Sequence, residues 1–599
     1  MANAGPDQVT QTLTEITFDG SASFDLDGTL ASHAWSFGDG TVASGAVVRH
    51  AYATPGTYTA TLTVTDGGGL SASASAVVTA VNRPPQADGG PAQETPVGAS
   101  VLLDGSRSTD PDGSINSYVW TFGDGASATG AAVTHVYAAP GAYTPTLTVS
   151  DDLGATGTAS SRVDVMPQGG EFRWATRAGG PGGDLGQGVA IDGSGNVLVA
   201  GYFTGTADFG GGPATAIGSY DLFVAKYTAS GAYFWARHFG GTGLVVGQSV
   251  AVDANGDVAV TGYFTGTVDF GGGPLTSAGS YDIFVMKLSG ADGSPLWAKR
   301  FGSPNDDIGY GVAVDGGGNV LVTGYFRDAA DFGGGPLTST YGGITLFVAK
   351  FSAGGAHLWS KSFWNTGVAI GYGIAADGAG NVAVTGSFTG RINFGGGDLT
   401  SAGGHDAFVA SFSPDGGHRW SQRFGSTSFD RGYGVAVDRG GDVAVTGLFT
   451  YTVDFGGGPV TSAGSNDGFV AKLSGTDGAH LWSKRFGSTN IDSGYAVAVD
   501  AGGNVAVTGF FQGTVDFGGG PLVSAGLEDI FVEKLAGPDG AHLWSKRFGG
   551  TSTDYGYGVA IDGAGNVLST GYFQNSADFG GGPLTSAGRQ DAFVLSLGP

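Results

Sequence analysis

Trp174, Trp235, Trp297, Trp359, Trp420, Trp482 and Trp544 stand 61 or 62 residues apart. Asp192, Asp253, Asp315, Asp377, Asp438, Asp500 and Asp562 keep the same register. A fixed period of this length marks one supersecondary unit repeated along the chain, too small to bury its own apolar faces. One unit can be read strand by strand. Residues 311–315 alternate small and β-branched side chains, and Gly316-Gly317-Gly318 reverses the chain into residues 319–326. A connection through Asp331-Phe332-Gly333-Gly334-Gly335-Pro336 leads to a third strand at 346–351. A fourth runs from His357 through Trp359 to Phe363. No stripe of helical period is long enough to form a helix in every unit. With 116 glycines and 13% charged residues, the composition suits short strands joined by tight turns.

Four antiparallel strands per unit, stacked radially, bury both faces of each sheet and leave only short edges, as in a β-propeller. A linear solenoid competes, but it needs atypical capping units, and neither terminal unit here is polar or degenerate. The ends instead look complementary. Phe172-Arg173-Trp174-Ala175-Thr176-Arg177 is a fourth strand without its predecessors, and the last unit stops after its third strand, Ala592-Phe593-Val594-Leu595-Ser596-Leu597. Residues 172–177 are therefore expected to complete the last blade and close a ring of seven.

A different repeat precedes this one. Asp19-Gly20-Ser21, Trp35-Ser36-Phe37-Gly38-Asp39-Gly40, His50-Ala51-Tyr52 and Leu62-Thr63-Val64-Thr65-Asp66 return 85 residues later. The second copies are Asp104-Gly105-Ser106, Trp120-Thr121-Phe122-Gly123-Asp124-Gly125, His135-Val136-Tyr137 and Leu147-Thr148-Val149-Ser150-Asp151. Alternating strands punctuated by Asp-Gly turns read as β-sandwiches. Asn82-Arg83-Pro84-Pro85 forms a stiff, extended joint between the copies. The expected fold is thus all-β: two immunoglobulin-like β-sandwiches at 1–81 and 82–167, then a seven-bladed β-propeller of four-stranded blades at 172–599.

These motifs carry two family resemblances. Residues 3–165 resemble two tandem polycystic-kidney-disease-type (PKD) domains, through Asn3-Ala4-Gly5-Pro6, Trp35-Ser36-Phe37-Gly38-Asp39-Gly40 and Asp110-Pro111-Asp112-Gly113. Residues 172–599 resemble the bacterial β-propeller repeat family, through Tyr310-Gly311-Val312-Ala313-Val314-Asp315 and Phe347-Val348-Ala349-Lys350. The first resemblance implies auxiliary binding, spacing or adhesion on extracellular or cell-surface proteins. It also implies Ca²⁺, held in the first copy by Asn3, Asp25, Asp27 and Asp66 and in the second by Asp88, Asp110, Asp112 and Asp151. Carboxylate and amide oxygens suit Ca²⁺, though it needs about six to eight ligands, so water and backbone carbonyls must complete each set. The competing assignment is turn capping, in which each Asp bonds its own backbone.

Charge narrows the partners. With 26 Lys and Arg against 52 Asp and Glu, the net charge of −26 disfavours nucleic acid. The absence of Cys removes disulfides, thiolate metal sites and Cys nucleophiles. No apolar run is long enough for a transmembrane helix, and residues 1–6 lack the basic start and apolar stretch of a secretion signal. Trp35, Trp120 and the seven repeated Trp residues read as packing anchors, and the repeated Asp-Gly turns as backbone caps. His357, His418, His480 and His542 lie on separate outer strands, which argues against a metal cluster. The Asp-Phe-Gly triplets lack the phosphate loop and catalytic loop of a kinase. No catalytic constellation emerges, so a non-enzymatic adhesion or ligand-binding scaffold for a surface protein or polysaccharide is expected. The alternative is a secreted polysaccharide hydrolase with accessory PKD domains. The best partner-binding candidates are Trp364, Arg391 and Asp398, where the fourth unit departs from its repeat.

Overall fold

The computed structural model describes residues 1–599 apart from 139–140, 167–168 and 340–342. The expected 82–167 boundary thus ends on Pro167, outside the described residues. The chain divides into two compact units, Met1–Gln168 and Gly169–Pro599. Among the described residues every regular element is a strand, and no helix is long and apolar enough to cross a membrane.

The first unit contains two β-sandwiches. In the first, Gln8–Gln11, Ser71–Val81, Gly56–Asp66, Leu30–Ser36 and Val42–Ser44 form one sheet in that order, and Ile16–Asp19 pairs with Val47–His50. Trp35 and Trp120 lie at the centres of the two sandwiches, 1% and 0% exposed, and so are packing anchors. Each copy also stacks a histidine on an aromatic ring and pins it to an aspartate. His50 lies on Phe37 and 2.7 Å from Asp39, as His135 lies on Phe122 and 2.7 Å from Asp124.

The second unit is a propeller of seven four-stranded sheets. Blades 1 to 7 begin at Leu185, Val245, Ile308, Ala369, Arg431, Ser493 and Tyr555. Blade 3 consists of Ile308–Val314, Val320–Phe326, Thr345–Phe351 and His357–Ser362, running from the channel outward. Its first strand starts three residues before the stretch legible in the sequence, because a β-bulge at Tyr310 interrupts the alternation. The connection between the second and third strands is itself a hairpin, Ala329–Asp331 with Pro336–Thr338. Its Asp331 carboxylate accepts the Gly333 and Gly335 amides at 2.7 and 3.0 Å. The Asp-Phe-Gly triplets are therefore hairpin caps.

Phe172–Ala178 pairs antiparallel with Asp591–Leu597, so the start of the unit supplies the outer strand of blade 7. Arg177 on that strand reaches Asp591 at 2.7 Å, the pairing that Arg300 makes with Asp282 inside blade 2. The apolar core lies between blades. Seven clusters fill the gaps, each drawn from two neighbours. The cluster of Phe203, Phe223, Leu568 and Val594 joins blade 7 to blade 1. Close approach near the channel requires glycine: a Cβ on Gly371 would stand 2.2 Å from Thr323 Oγ1 of the preceding blade. Because ring closure completes a sheet and an inter-blade core, deleting residues 172–177 should lower the propeller's melting temperature by at least about 5 °C. An unchanged calorimetric midpoint would remove closure as a source of stability.

Candidate functional site

Most charged groups in the propeller are used for construction. Lys226, Lys287, Lys350, Lys472 and Lys534 are buried and lie 2.7 to 3.4 Å from Asp192, Asp253, Asp315, Asp438 and Asp500. The other oxygen of each aspartate caps its turn, as where Asp315 Oδ1 accepts the Gly317 and Asn319 amides at 2.9 and 3.0 Å. These ion pairs hold the Asp192 and Asp315 carboxyls below the usual range despite their burial. In blades 4 and 7, Ser411 and Ser596 stand where the other blades have Lys. Asp184, Asp307, Asp430, Asp492 and Asp554 form a second set that accepts loop amides, Asp307 from Ser303 and Arg327 for example. Burial pushes Asp184 up to about 7 and Asp307 and Asp554 to about 6. Sequence reasoning missed this set. Its signal was an aspartate two residues before a glycine, repeated in five blades.

His357, His418, His480 and His542 each cover a glycine turn and bond a serine, His357 Nε2 lying 3.1 Å from Ser360 Oγ. A Cβ on Gly334 would meet His357 Cε1 at 2.5 Å. Among the described residues, no group of three or more His, Cys, Asp or Glu side chains is spaced to hold a metal ion.

The two acidic sets of the sandwiches differ. In the first copy Asn3 and Asp27 are exposed. Asn3 Oδ1 accepts the Gly5 amide at 2.9 Å, and Asp66 Oδ1 accepts those of Gly68 and Leu70 at 2.8 and 2.9 Å. Asp25 lies beside Gly28, whose Cβ would stand 2.6 Å from Asp25 Oδ2. Asn3 and Asp66 therefore have the geometry of turn caps. In the second copy Asp88 also caps a turn, at Gly90, but Asp110, Asp112 and Asp151 converge beside the joint. Asn82 Nδ2 donates to Asp151 at 2.6 Å, and the Arg83 amide and the Thr12 hydroxyl donate to Asp112. Asp110 Oδ2 and Asp112 Oδ1 are buried without a hydrogen-bond partner. Burial, together with the charges of Asp112 and Asp151, pushes the Asp110 carboxyl up. The three carboxylates are not spaced to hold a metal ion as a group, so a hard cation here would rest on the two orphaned oxygens of Asp110 and Asp112, with backbone oxygens and water supplying most of its shell.

The structure brings Trp364 and Asp398 together but leaves Arg391 aside. An open depression of ≈ 560 Å³ is lined by Lys361, Ser362, Phe363, Trp364, Asn393 and Asp398, among others. Trp364 is 46% exposed, and Asn393 Nδ2 donates to Asp398 at 2.8 Å. Arg391 is exposed on the same hairpin, opposite Thr400, but does not line the depression. The site belongs to the junction of blades 3 and 4. In blade 1 a Cβ on Gly240, the counterpart of Trp364, would stand 2.0 Å from Asp221 Oδ2. Blade 3 carries Thr345 in place of that aspartate and Ser362 where blades 2 and 4 to 6 have the pairing arginine. Without the ion pair, a side chain at 364 has room.

The central channel is the third candidate, with a volume of ≈ 390 Å³. The bulged residue of each inner strand lines it: Gln187, Gln248, Tyr310, Tyr372, Tyr433, Tyr495 and Tyr557. The five tyrosine rings touch in sequence, with centroids 5.1 to 5.3 Å apart.

The PKD domain family matches residues 1–81 and 82–165, and the beta-propeller repeat family matches residues 173–209, 296–325 and 543–572. An uncharacterized WD repeat-containing protein of Acanthamoeba polyphaga mimivirus is 23% identical over 435 residues, covering 57% of this chain and 31% of the viral protein. A microbial collagenase of Vibrio alginolyticus is 42% identical over 74 residues, 12% of this chain and 9% of the collagenase. The chain therefore spans less than a third of either relative's length. Among solved structures, the PKD1 domain of the Vibrio cholerae metalloprotease PrtV is 44% identical and covers 11% of this chain and 83% of that domain, with a TM-score of 0.11.

One buried acid belongs to no repeated set. Glu533 stands where the other blades have Ala225, Met286, Ala349, Ala410, Ala471 and Leu595. It is 2% exposed, its Oε2 has no partner, and burial pushes its carboxyl from 4.5 to about 8. A raised carboxyl favours folding less as pH rises from the unfolded value toward the folded one. Glu533→Met, which keeps the volume, should therefore raise stability by about 2 kcal/mol at neutral pH. Its advantage over the parent should widen between pH 4.5 and about 8 in thermal melts across that range. A constant difference would dissociate it from Glu533 ionisation.

Proposed function

We propose that this chain, which carries two tandem PKD domains followed by a seven-bladed β-propeller, is a non-catalytic ligand-binding scaffold of the cell exterior. Its partner is a surface protein or a polysaccharide, held at the junction of blades 3 and 4. The observation that carries this reading is the half-exposed Trp364 beside Asp398 in an open depression, on a ring whose other blades keep glycine at that place. A partly exposed aromatic flanked by polar groups is the usual anchor of a binding surface. W364A/D398A should weaken capture of a partner, found by screening polysaccharides and surface proteins against the intact chain, by about tenfold or more. The melting temperature should barely change, because Trp364 covers no core. Partner capture unaffected by the double substitution would dismiss this surface, and turnover of the captured polysaccharide would favour the hydrolase alternative.

We assign the sandwiches an accessory role in which the second copy takes Ca²⁺ at Asp110 and Asp112, beside Asp151, with backbone oxygens and water supplying most of its shell. Its orphaned carboxylate oxygens support this assignment, whereas in the first copy the turns capped by Asn3 and Asp66 favour a structural role for those two residues. The ion would screen the repulsion among the three carboxylates and fix the joint at Asn82. Calcium should therefore raise the first unfolding transition of the intact chain, by about 2.7 kcal/mol at a hundredfold excess over Kd. D110N/D112N should abolish the response and D25N/D27N should leave it. A calorimetric titration without heat would return all eight residues to turn capping.

A further inference from the structure

The sevenfold rule breaks a second time, at one end of the central channel. At or next to the start of each inner strand, one residue precedes the glycine that every blade repeats. In blades 1 to 7 these are Leu185, Val246, Ile308, Ile370, Arg431, Ser493 and Tyr555. Arg431 is the single charge in that row. The arginines of the outer strands, such as Arg300 and Arg485, pair with buried aspartates. Among the described residues Arg431 has no carboxylate within ion-pair distance. Its Nε is buried without a partner, and Nη1 makes a single long bond, 3.4 Å, to the Tyr433 hydroxyl.

The surroundings of this guanidinium are also irregular. Ser387 stands where blades 1, 2, 3 and 7 carry tyrosine and blades 5 and 6 carry leucine and phenylalanine. A large side chain is therefore missing from the wall of blade 4. Ser387 Oγ lies 3.3 Å from His405 Nδ1, and burial together with the Arg431 charge keeps His405 below its ordinary value. The Arg431 charge also reaches Tyr310, Tyr372 and Tyr495, so it acts on the tyrosine ring from blade 3 to blade 6. Carboxylates act on this ring of aromatics elsewhere, Asp306 and Asp307 at Tyr325 and Glu528 at Tyr555. Ser387 is fully buried, which leaves its hydroxyl inaccessible as a nucleophile and argues for binding instead of catalysis.

An unpaired, half-buried cation costs stability unless something repays its lost hydration. A guanidinium presents a planar fork that matches an oxyanion, and tyrosine faces receive the ring of a small organic body. Tyr372 and Tyr433 line the channel, whose ≈ 390 Å³ falls in the range of small-molecule sites, while Arg431, two residues before Tyr433, stands beyond the residues that line it. We infer that the channel end between blades 4 and 5 is a binding site for a small organic carboxylate. Arg431 holds the carboxylate, and Tyr372 and Tyr433 receive the ring. This site is distinct from the depression at Trp364 and stands or falls independently of it.

The test uses the intact chain, with D-glucuronate as probe, D-glucose as its neutral counterpart and inorganic sulfate as a bare oxyanion, all at constant ionic strength. Calorimetry should show saturable glucuronate binding below about 10 mM and none for glucose. Arg431→Gln should weaken it by at least about tenfold, and Arg431→Lys, which keeps the charge and loses the fork, should give an intermediate affinity. Arg391→Gln, an exposed arginine of the outer hairpin, should leave binding unchanged. The melting temperature of Arg431→Gln should stay level or rise. Equal glucuronate affinity in Arg431→Gln, absence of saturable binding, or sulfate binding as tightly as glucuronate would each overturn the proposal. So would a large loss of stability in both Arg431→Gln and Arg431→Lys, which would mark the guanidinium as a structural strut.

Discussion

Burial between neighbouring blades is the interaction on which the propeller depends. A four-stranded sheet exposes two faces, and every apolar cluster of the ring draws on two adjacent sheets. No blade holds a core of its own, so removing one opens the faces of two others. The outer turns are fastened in the same sense. The Gly290 carbonyl of blade 2 accepts both Lys226 Nζ and Trp235 Nε1 of blade 1, at 2.7 and 3.2 Å. The Pro414 carbonyl of blade 4 accepts Lys350 and Trp359 of blade 3 in the same way. Each such lysine is also the partner of its own blade's aspartate, so one ammonium ties an inner turn to the neighbouring blade. A lone buried ammonium would be costly to desolvate, and the aspartate and the carbonyl together offset that cost.

Such a ring separates construction from recognition. Groups present in nearly every blade are spent on turns, ion pairs and inter-blade contacts, which accounts for the buried lysines, the arginines paired on the outer strands and most of the buried aspartates. Departures from the pattern mark the places where one blade gives up a contact that the others keep. At the junction of blades 3 and 4, Thr345 and Ser362 replace an ion pair and Trp364 takes the space released. At the channel end, Ser387 removes bulk and Arg431 adds a charge that, among the described residues, no carboxylate pairs with. Glu533 is a departure of another kind, enclosed on all sides and kept neutral by burial. The sandwiches repeat this contrast, since their two copies share a turn chemistry but only the second gathers carboxylates with unsatisfied oxygens.

The sequence alone determined the elements that depend on period and on local chemistry. Sixty-one- and 62-residue spacing fixed the number of units, alternation placed the strands, and the complementary end fragments identified which strand completes the ring. Trp35, Trp120 and the repeated tryptophans were legible as anchors because an aromatic recurring in register has a packing role in every copy. Only the tertiary structure decided what depends on residues meeting across blades. The bulge that turns Tyr310 and its counterparts into the channel inserts a residue where alternation is read as unbroken, so the sequence pattern conceals it. The lysine opposite each turn aspartate lies 34 or 35 residues away along the chain, beyond any local rule. Trp364 and Asp398 stood out as departures, but their meeting, and Arg391's place outside it, follow from how one hairpin folds over the next outer strand. Arg431 carried no signal until the ring placed it among tyrosines of other blades. Periodicity specifies elements because it acts within a few residues, whereas a site is a coincidence of side chains that only the closed ring brings together.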